Sequence, residues 1–320
     1  MKGYVASIGR QQIQRAYERI KSYIRETPIV ALGPHLRLAE ADVVLKLELL
    51  QHAGSFKARG AFNNLLSERV PPAGVIAASG GNHGVATAFA AQRLGQVAEI
   101  FVPTISSPVK IDRIRKYGAK VTIVGANYAE ALEASLARAT ETGARIIHAY
   151  DQRETIEGAG TIAMEFEAQS DRLDSVMVPV GGGGLIAGVM AWFGHSIRVI
   201  GIEPRLAPTL TRALEAGHPV DVEVSGVAAD ALGARCVGDL AFEIAASSLD
   251  RMVLVEDADI IAAQRFLWSE LRIAAEPAGA AATAALLSRQ YRPAAGERVG
   301  VLVSGGNVDL SALATVVAAQ

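Results

Sequence analysis

The fold assignment of this sequence depends on one stretch, Gly54-Ser55-Phe56-Lys57-Ala58-Arg59-Gly60. A lysine among small residues at the start of a predicted helix is, in isolation, most often a solvated surface side chain. This lysine is followed along the chain by three glycine-rich turns, and each turn comes directly after a predicted strand. The four segments therefore have to be interpreted together.

Each of the three turns is polar and rich in glycine. In open α/β sheets, ligands bind beyond the carboxyl ends of the strands, which is where these turns lie. Glycines there let the backbone approach a ligand closely and direct its N–H groups toward an anion. Taken alone, any one of these turns is equally consistent with an ordinary tight turn that binds no ligand. The turns are Ser79-Gly80-Gly81-Asn82-His83-Gly84 after Val75–Ala78, Gly181-Gly182-Gly183-Gly184 after Val176–Val180, and Ser304-Gly305-Gly306-Asn307 after Val299–Val303.

The four consecutive glycines, Gly181 to Gly184, form the best candidate for a phosphate site, because a predicted helix follows near Leu185. The same segment also fits a dinucleotide fingerprint, G-x-G-x-x-A, over residues 182–187. Glu203 then follows about twenty residues later, where the ribose-binding acid of such a site is expected. An NAD-dependent oxidoreductase is therefore an alternative on this segment alone.

The composition excludes several classes of protein. Of 320 residues, 50% are hydrophobic and 20% charged, and the net charge is −2, which indicates a folded protein without a nucleic-acid partner. Cys236 is the single cysteine, as in proteins of a reducing cytosol. Arg10 and Arg15 interrupt the apolar run that an export signal needs. The uncharged stretch Ser175–Ile197 contains Pro179 and four glycines, which argue against a membrane span. We expect a cytoplasmic protein with no membrane partner.

Apolar runs alternate with helical patterns along most of the chain. This order predicts an α/β fold with parallel sheets covered on both faces. Breaks at Pro71–Gly74 and near Tyr150–Gly160 predict a large domain of residues 1–72 and 150–320, with a small inserted domain of residues 73–149. The predicted strands are Val43–Leu47, Val75–Ala78, Ala98–Val102, Lys120–Val124, Ile146–His148, Val176–Val180, Val199–Ile202 and Val299–Val303.

As a set, these motifs resemble the fold-type-II pyridoxal-phosphate enzymes, in particular the branch of threonine/serine dehydratases and serine racemases. The likeness extends from Thr27-Pro28 to Asn307, whereas the NAD interpretation explains only the glycine loop. It implies two open parallel-sheet lobes, as in the tryptophan synthase β type, with pyridoxal 5'-phosphate between them. Further matching segments are Gly158–Thr161, Gly201–Pro204 and Glu276–Gly279.

The resemblance also implies roles for the residues of the cofactor site. Lys57 forms the Schiff base with the cofactor and takes the Cα proton of the substrate. Phe56 packs against the cofactor, and Asn82 hydrogen-bonds its ring hydroxyl. Ser304 faces the pyridine nitrogen, where a neutral serine suits β-elimination. The cofactor phosphate is bound by Gly181, Gly182, Gly183 and Gly184.

For the substrate, the resemblance implies that its carboxylate is held by the turn that follows Val75–Ala78. The residues of this turn are Ser79, Gly80, Gly81, Asn82 and His83. A divalent metal, where relatives bind one, is held by positions that correspond to Glu203 and Ala207. The third ligand, an aspartate in those relatives, is Thr209 here, so we expect a weak site or none.

The implied activity is that of a lyase of class EC 4.3.1.-, acting in amino-acid catabolism. Such an enzyme converts a β-hydroxy amino acid, for example L-threonine or L-serine, to a 2-oxo acid and ammonia. A serine or hydroxyaspartate racemase/dehydratase of the same family is the alternative, and a β-replacement enzyme of the cysteine-synthase type is a further one. By the same resemblance we expect a homodimer.

Overall fold

The computed structural model describes residues 8–33, 36, 38, 41–106 and 108–318. The strands are β1 Ile29–Ala31, β2 Asp42–Leu47, β3 Val75–Ala78, β4 Ala98–Val102, β5 Lys120–Ile123, β6 Arg145–Ile146, β7 Ser175–Pro179, β8 Arg198–Pro204, β9 Arg251–Val255 and β10 Arg298–Val303. The helices are α1 Arg10–Ile20, α2 Lys57–Ser67, α3 Asn82–Arg93, α4 Pro108–Arg115, α5 Tyr128–Thr142, α6 Arg153–Gln169, α7 Gly184–Phe193, α8 Thr209–Ala216, α9 Ala229–Leu232, α10 Asp239–Ser248, α11 Asp257–Leu271, α12 Pro277–Leu287 and α13 Leu310–Ala318.

The strands form two separate sheets. The larger has the order β1-β2-β10-β7-β8-β9, and its strands are parallel except for β1, which pairs antiparallel with β2. The smaller is fully parallel, with the order β5-β4-β3-β6. Two parallel sheets of this kind confirm the predicted fold class. All four strands of the smaller sheet lie within residues 73–149, although the domain limits themselves stay a prediction.

The larger sheet is covered on both faces, which explains its nearly uninterrupted apolar strands. Along β7, Val176 and Val178 pack against α6 and α7, whereas Met177 lies in the opposite core with α11 and α12. Because successive strand residues point to opposite faces, each face has its own core. Among the described residues, no helix combines the length and the hydropathy that crossing a membrane requires.

Most of the segment Tyr150–Gly160, where the sequence pattern predicts a boundary, belongs to α6, which begins at Arg153. Its glycines allow other backbones to approach. A Cβ on Gly158 would lie 2.6 Å from the carbonyl oxygen of Arg59 in α2, and one on Gly160 would lie 2.6 Å from Ile13 in α1. Glycine at these two positions reflects close helix packing, and the connection between β6 and α6 is limited to residues 147–152.

A buried network of charges anchors the first turn of α2. Arg59 donates to Glu48 at 2.7 Å and to Glu165 at 2.9 Å, and Lys46 donates to Glu165 at 2.5 Å. All four side chains are nearly inaccessible to solvent. The two cations balance the two carboxylates, so each of these four charges has a partner. The network fixes the helix that begins at Lys57.

Candidate active site

Lys57 is the first residue of α2, and its amine is turned toward the end of β6. The Lys57 Nζ atom donates a hydrogen bond to the carbonyl oxygen of Ala149 at 2.7 Å and lies 5.1 Å from the centre of the Phe56 ring. Burial lowers the pKa of this amine from its ordinary value of 10.5 to about 8. A sizeable neutral fraction therefore exists near neutral pH, as a nucleophile or a base requires.

The segment that carries Lys57 is hydrogen-bonded to the turn that follows β10. The Phe56 N–H donates to the carbonyl oxygen of Ser304 at 3.1 Å, and the Gly306 N–H donates to that of Gly54 at 2.9 Å. Ser55 and Gly305 pair between these two bonds. Two motifs from opposite ends of the chain are thus held side by side.

Two buried hydroxyl groups in this region lack a good hydrogen-bond partner. The nearest acceptor to Ser304 Oγ is the carbonyl oxygen of Ala278 at 3.4 Å, which is longer than an ordinary O–H···O bond. Among the described residues, Ser55 Oγ has no hydrogen-bond partner. Buried polar groups normally have partners, so these hydroxyls fit a site that receives a polar ligand. The Ser304 hydroxyl is thus available to a polar atom of a ligand.

The tetraglycine turn, Gly181 to Gly184, links β7 to α7, which begins at Gly184. The first N–H groups of a helix lack intrahelical partners and carry partial positive charge, so they suit a phosphate. Only glycine is compatible with this turn. Gly183 has a φ of +90°, and a Cβ on Gly182 would lie 2.3 Å from the ring of Tyr150. The turn fits the phosphate of the cofactor.

Tyr150 was not predicted as a site residue. It follows β6, one residue after the acceptor of Lys57, and its ring packs on the tetraglycine turn. Its hydroxyl donates to the carbonyl oxygen of Cys236 at 3.1 Å. Burial raises the pKa of this phenol, which keeps it neutral. The available signal was an aromatic residue just after the predicted strand Ile146–His148. It was overlooked because the site residues were predicted from glycine turns, and this strand end has none.

The turn between β3 and α3 contains the predicted substrate-binding residues. The Ser79 Oγ atom accepts a hydrogen bond from the Gly81 N–H at 3.2 Å. Helix α3 begins at Asn82, so its first N–H groups are available to a carboxylate. A Cβ on Gly80 would lie 2.8 Å from Ser106 Oγ, so that a neighbouring hydroxyl occupies the space beside this glycine.

The side chain of Asn82 contacts two residues from the part of the chain that forms the larger sheet. It donates to Glu276 Oε1 at 2.6 Å and accepts from the Asn307 amide nitrogen at 2.7 Å. Glu276 precedes α12, and Asn307 ends the turn after β10. These contacts join the turn after β3 to the Ser304 turn. The sequence singled out the motifs that contain Glu276 and Asn307, but gave neither residue a role.

His83 is buried in the first turn of α3. Its Nε2 atom lies 3.0 Å from the carbonyl oxygen of Ile147, which follows β6. Burial, and then the charge of Lys57, lower the pKa of this imidazole to about 3. The ring is therefore neutral and donates to Ile147. This contact gives His83 a structural function in joining α3 to the end of β6.

Glu203, the first predicted metal ligand, accepts hydrogen bonds at the start of α8. Its carboxylate accepts from Leu210 N at 2.6 Å and from Thr211 N at 3.0 Å. Thr209, where relatives have an aspartate, donates its hydroxyl to the carbonyl oxygen of Ala234 at 2.6 Å. Ala207 is fully buried. Within the described ranges, no cluster of three His, Cys, Asp or Glu could hold a metal.

The structure thus brings most of the predicted residues together. Hydrogen bonds join the Lys57 segment, the Ser304 turn and Asn82, and Tyr150 packs between the Lys57 acceptor and the tetraglycine turn. As far as the described part of the chain extends, Glu203 and Ala207 share no hydrogen bond with this group.

Comparison with known proteins agrees with this geometry. Residues 20–305 match the family model described as pyridoxal-phosphate dependent enzyme. The chain is 38% identical over 301 residues to the phenylserine dehydratase of Ralstonia pickettii, and the match covers 92% of each protein. It is 35% identical over 306 residues to the L-threonine ammonia-lyase of Thermotoga maritima, covering 94% of this chain and 76% of that protein. The structure of maize serine racemase superimposes with a TM-score of 0.90 at 31% identity, covering 97% of this chain and 96% of that one. Motifs, sheets and matches lead to one conclusion: the chain belongs to the family of pyridoxal-phosphate dependent enzymes.

Proposed function

We propose that this protein is a dehydratase, or ammonia-lyase, which converts a small β-hydroxy amino acid to a 2-oxo acid and ammonia with pyridoxal phosphate as cofactor. The observation that carries the proposal is the position of Lys57, a partly buried amine with a lowered pKa beside the glycine-rich turns. The names of the relatives support it, since two of them are a dehydratase and an ammonia-lyase.

The proposed cofactor site uses residues from both lobes. The tetraglycine turn would hold the phosphate, Ser304 would meet the ring nitrogen, and Asn82 would donate to the ring hydroxyl. Phe56 lies beside the Lys57 amine and would contact the ring. The bound cofactor supplies an electron-withdrawing ring to the amino-acid substrate.

The protein's own groups then account for the removal of the Cα proton. We propose that the N–H groups at the start of α3, together with Ser79, bind the substrate carboxylate and orient the Cα–H bond toward Lys57. The neutral Lys57 amine would accept the Cα proton. Ser304 cannot protonate the ring nitrogen as a carboxylic acid would, so the ring is a weak electron acceptor. A reaction in which the β-hydroxyl leaves with the electron pair suits such a site.

The second candidate is a serine or hydroxyaspartate racemase, which the similarity to maize serine racemase favours. Racemisation requires a proton donor on the substrate face opposite Lys57. In serine racemases, that donor is the second serine of a Ser-Ser-Gly-Asn-His turn. Gly80 stands at this position here and has no proton to donate. We therefore place dehydration first.

We further propose a cytoplasmic homodimer in which residues 73–149 form a small inserted domain. The family resemblance and the single cysteine support the first part, and the position of β3 to β6 supports the second. Sedimentation analysis of the purified protein gives the oligomeric state directly. A monomer at working concentration would contradict the dimer.

The function is tested by an absorbance spectrum of the purified protein, followed by assays of 2-oxo acid release. The substrates are L-serine, L-threonine, phenylserine and 3-hydroxyaspartate, because all four share the reacting atoms. We expect a yellow protein that releases a 2-oxo acid from at least one of them. A colourless protein that binds a nicotinamide nucleotide, or a yellow one that only exchanges β-substituents, would contradict the proposal.

A further inference from the structure

Three side chains connect the two lobes next to the proposed cofactor site. Asn82 comes from the turn after β3, whereas Glu276 and Asn307 flank α12 and the turn after β10. Glu276 accepts from the Asn82 amide at 2.6 Å, and Asn307 donates to the Asn82 carbonyl at 2.7 Å. The backbone of Asn307 also lies close enough to the Glu276 carboxyl to influence its pKa. Asn82 therefore bridges Glu276 and Asn307 by two hydrogen bonds.

The orientation of each amide in this set follows from its neighbours. The carbonyl oxygen of Ala53 can only accept, and the Asn307 amide nitrogen lies 2.8 Å from it. This contact fixes which end of the Asn307 amide is nitrogen. Asn307 uses its second hydrogen on the Asn82 oxygen, so the nitrogen of Asn82 must face Glu276. One of the two hydrogens on that nitrogen then remains available.

Glu276 is held in place by its surroundings. It is 7% exposed, and a Cβ on Gly305 would lie 2.1 Å from its Oε1 atom, so the carboxyl packs directly on the glycine of the Ser304 turn. Burial raises the pKa of this carboxyl to about 7, although the hydrogen bond from Asn82 opposes the shift. Burying a carboxyl group costs free energy, and the cost is offset only where its hydrogen bonds are made. If Asn82 binds the cofactor, the function of this buried carboxyl is to hold the Asn82 amide.

We propose that Glu276 and Asn307 are positioning residues, which hold the Asn82 amide so that its free N–H points at the ring oxygen of the cofactor. The inference rests on the proposed cofactor-binding role of Asn82. Without these two contacts, the Asn82 amide can rotate by half a turn. Its carbonyl oxygen would then face the ring oxygen, and two acceptors repel. The two contacts thus keep the N–H group of Asn82, and not its carbonyl oxygen, directed at the ring oxygen.

The test uses the purified holoenzyme and the variants Asn82→Ala, Glu276→Gln and Asn307→Ala. A glutamine at 276 can present its NH2 group, a donor, where the carboxylate presents only acceptors, so the orientation of the Asn82 amide is no longer fixed from this side. In each variant we expect the visible band of the bound cofactor to lose intensity in favour of its near-ultraviolet band, because the ring oxygen loses its donor. We also expect cofactor affinity to fall about threefold to tenfold, as for one net hydrogen bond.

A double-mutant cycle separates positioning from general damage. If Glu276 acts through Asn82, Glu276→Gln should change the spectrum and the affinity little when Asn82 is already alanine. Glu297→Gln is the matched control, since Glu297 is also buried and accepts from Tyr291, Ser175 and Ala294. It comes directly before β10, at the opposite end of that strand from Ser304. We expect this control to lower the melting temperature without altering the cofactor band.

Additive effects of Asn82→Ala and Glu276→Gln would overturn the inference, as would an unchanged spectrum in Glu276→Gln and Asn307→Ala. Both results count against the inference when the wild-type protein itself is yellow and active. A wild type without cofactor colour or 2-oxo acid release would instead refute the proposed function. The two failures are therefore distinguishable.

Discussion

The backbone N–H of Phe56 donates to the carbonyl oxygen of Ser304 at 3.1 Å. The residue before the proposed cofactor lysine is thereby fixed to the residue proposed to meet the ring nitrogen. In the proposed site, Lys57 and Ser304 would hold opposite ends of the cofactor ring, and this hydrogen bond sets the spacing of the two backbone segments that carry them. Side-chain substitutions at either position should leave that spacing intact, which makes them informative about chemistry.

The first prediction concerns Lys57→Ala. We expect turnover to be abolished while the fold survives, because the Lys57 amine makes one hydrogen bond to Ala149 and takes no part in the apolar core. Borohydride should fix the cofactor of the wild type to the peptide that contains Lys57. Lys116→Ala, at an exposed lysine, is the control and should retain activity. A label on any other lysine would end the assignment.

The second prediction is the pH dependence of cofactor capture by the cofactor-free protein. Only a neutral amine attacks the cofactor aldehyde, and burial lowers the pKa of Lys57 to about 8. The capture rate should therefore rise with pH up to about 8 and then level off. A simple lysine derivative in solution should continue to gain rate toward its ordinary pKa of 10.5. Stopped-flow absorbance measures both. A protein profile that follows the free amine would contradict the burial of Lys57.

The third prediction concerns Ser304. Ser304→Ala should weaken cofactor binding moderately, by the ~0.5–1.5 kcal/mol of one net hydrogen bond. Ser304→Asp should protonate the ring nitrogen and increase side reactions such as transamination. Cofactor titration and product analysis measure these effects. Unchanged affinity and products in both variants would mean that another residue meets the nitrogen.

The sequence allowed the family, the fold class and the cofactor to be predicted, and these predictions are confirmed. Strand positions were also close, because strands buried on both faces are apolar throughout: β3 and β4 have the predicted bounds. The short edge strands β1 and β9 were missed. Edge strands are covered less completely, so their sequences carry a weaker pattern, as the mixed burial along β9 illustrates.

Contacts between distant segments could not be predicted. Nothing in a single sequence places Glu276 beside Asn82, because the contact depends on how the two lobes meet. Glycine was informative at strand ends but misleading inside α6, where it serves close packing against α2 and α1. The roles of the site residues stay predictions, since geometry alone does not test them.

The fourth prediction is that the enzyme forms little D-serine from L-serine, because Gly80 offers no proton donor. The complementary variant is Gly80→Ser, which should introduce some racemisation. A Cβ at this position would lie 2.8 Å from Ser106 Oγ, so the new side chain is crowded. The double variant Gly80→Ser with Ser106→Ala relieves this contact and should racemise faster. Chiral chromatography measures both enantiomers. D-serine formation by the wild type at a rate near that of pyruvate release would contradict the prediction.

The last prediction is that activity does not depend on a divalent metal. Hard cations prefer carboxylate ligands, and affinity follows their number. The Glu203 carboxylate is already engaged by the backbone at the start of α8, and Thr209 directs its hydroxyl to the carbonyl oxygen of Ala234. A metal would have to displace these hydrogen bonds and would gain one carboxylate only. Dialysis against EDTA should therefore leave both activity and melting temperature nearly unchanged.

Glu203→Gln distinguishes a helix-capping role from a metal-binding one. A glutamine has one acceptor oxygen, whereas Leu210 N, Thr211 N and the Thr211 hydroxyl all donate to this carboxyl. We expect a loss of about 1 kcal/mol in the free energy of unfolding, as for a lost helix cap, and the loss should be the same with and without Mg²⁺ or Ca²⁺. Thr211→Val, which removes one donor, should cost less. If EDTA inactivates the wild type and added Mg²⁺ or Ca²⁺ restores it, while Glu203→Gln no longer responds, Glu203 binds a metal and another oxygen replaces the missing aspartate.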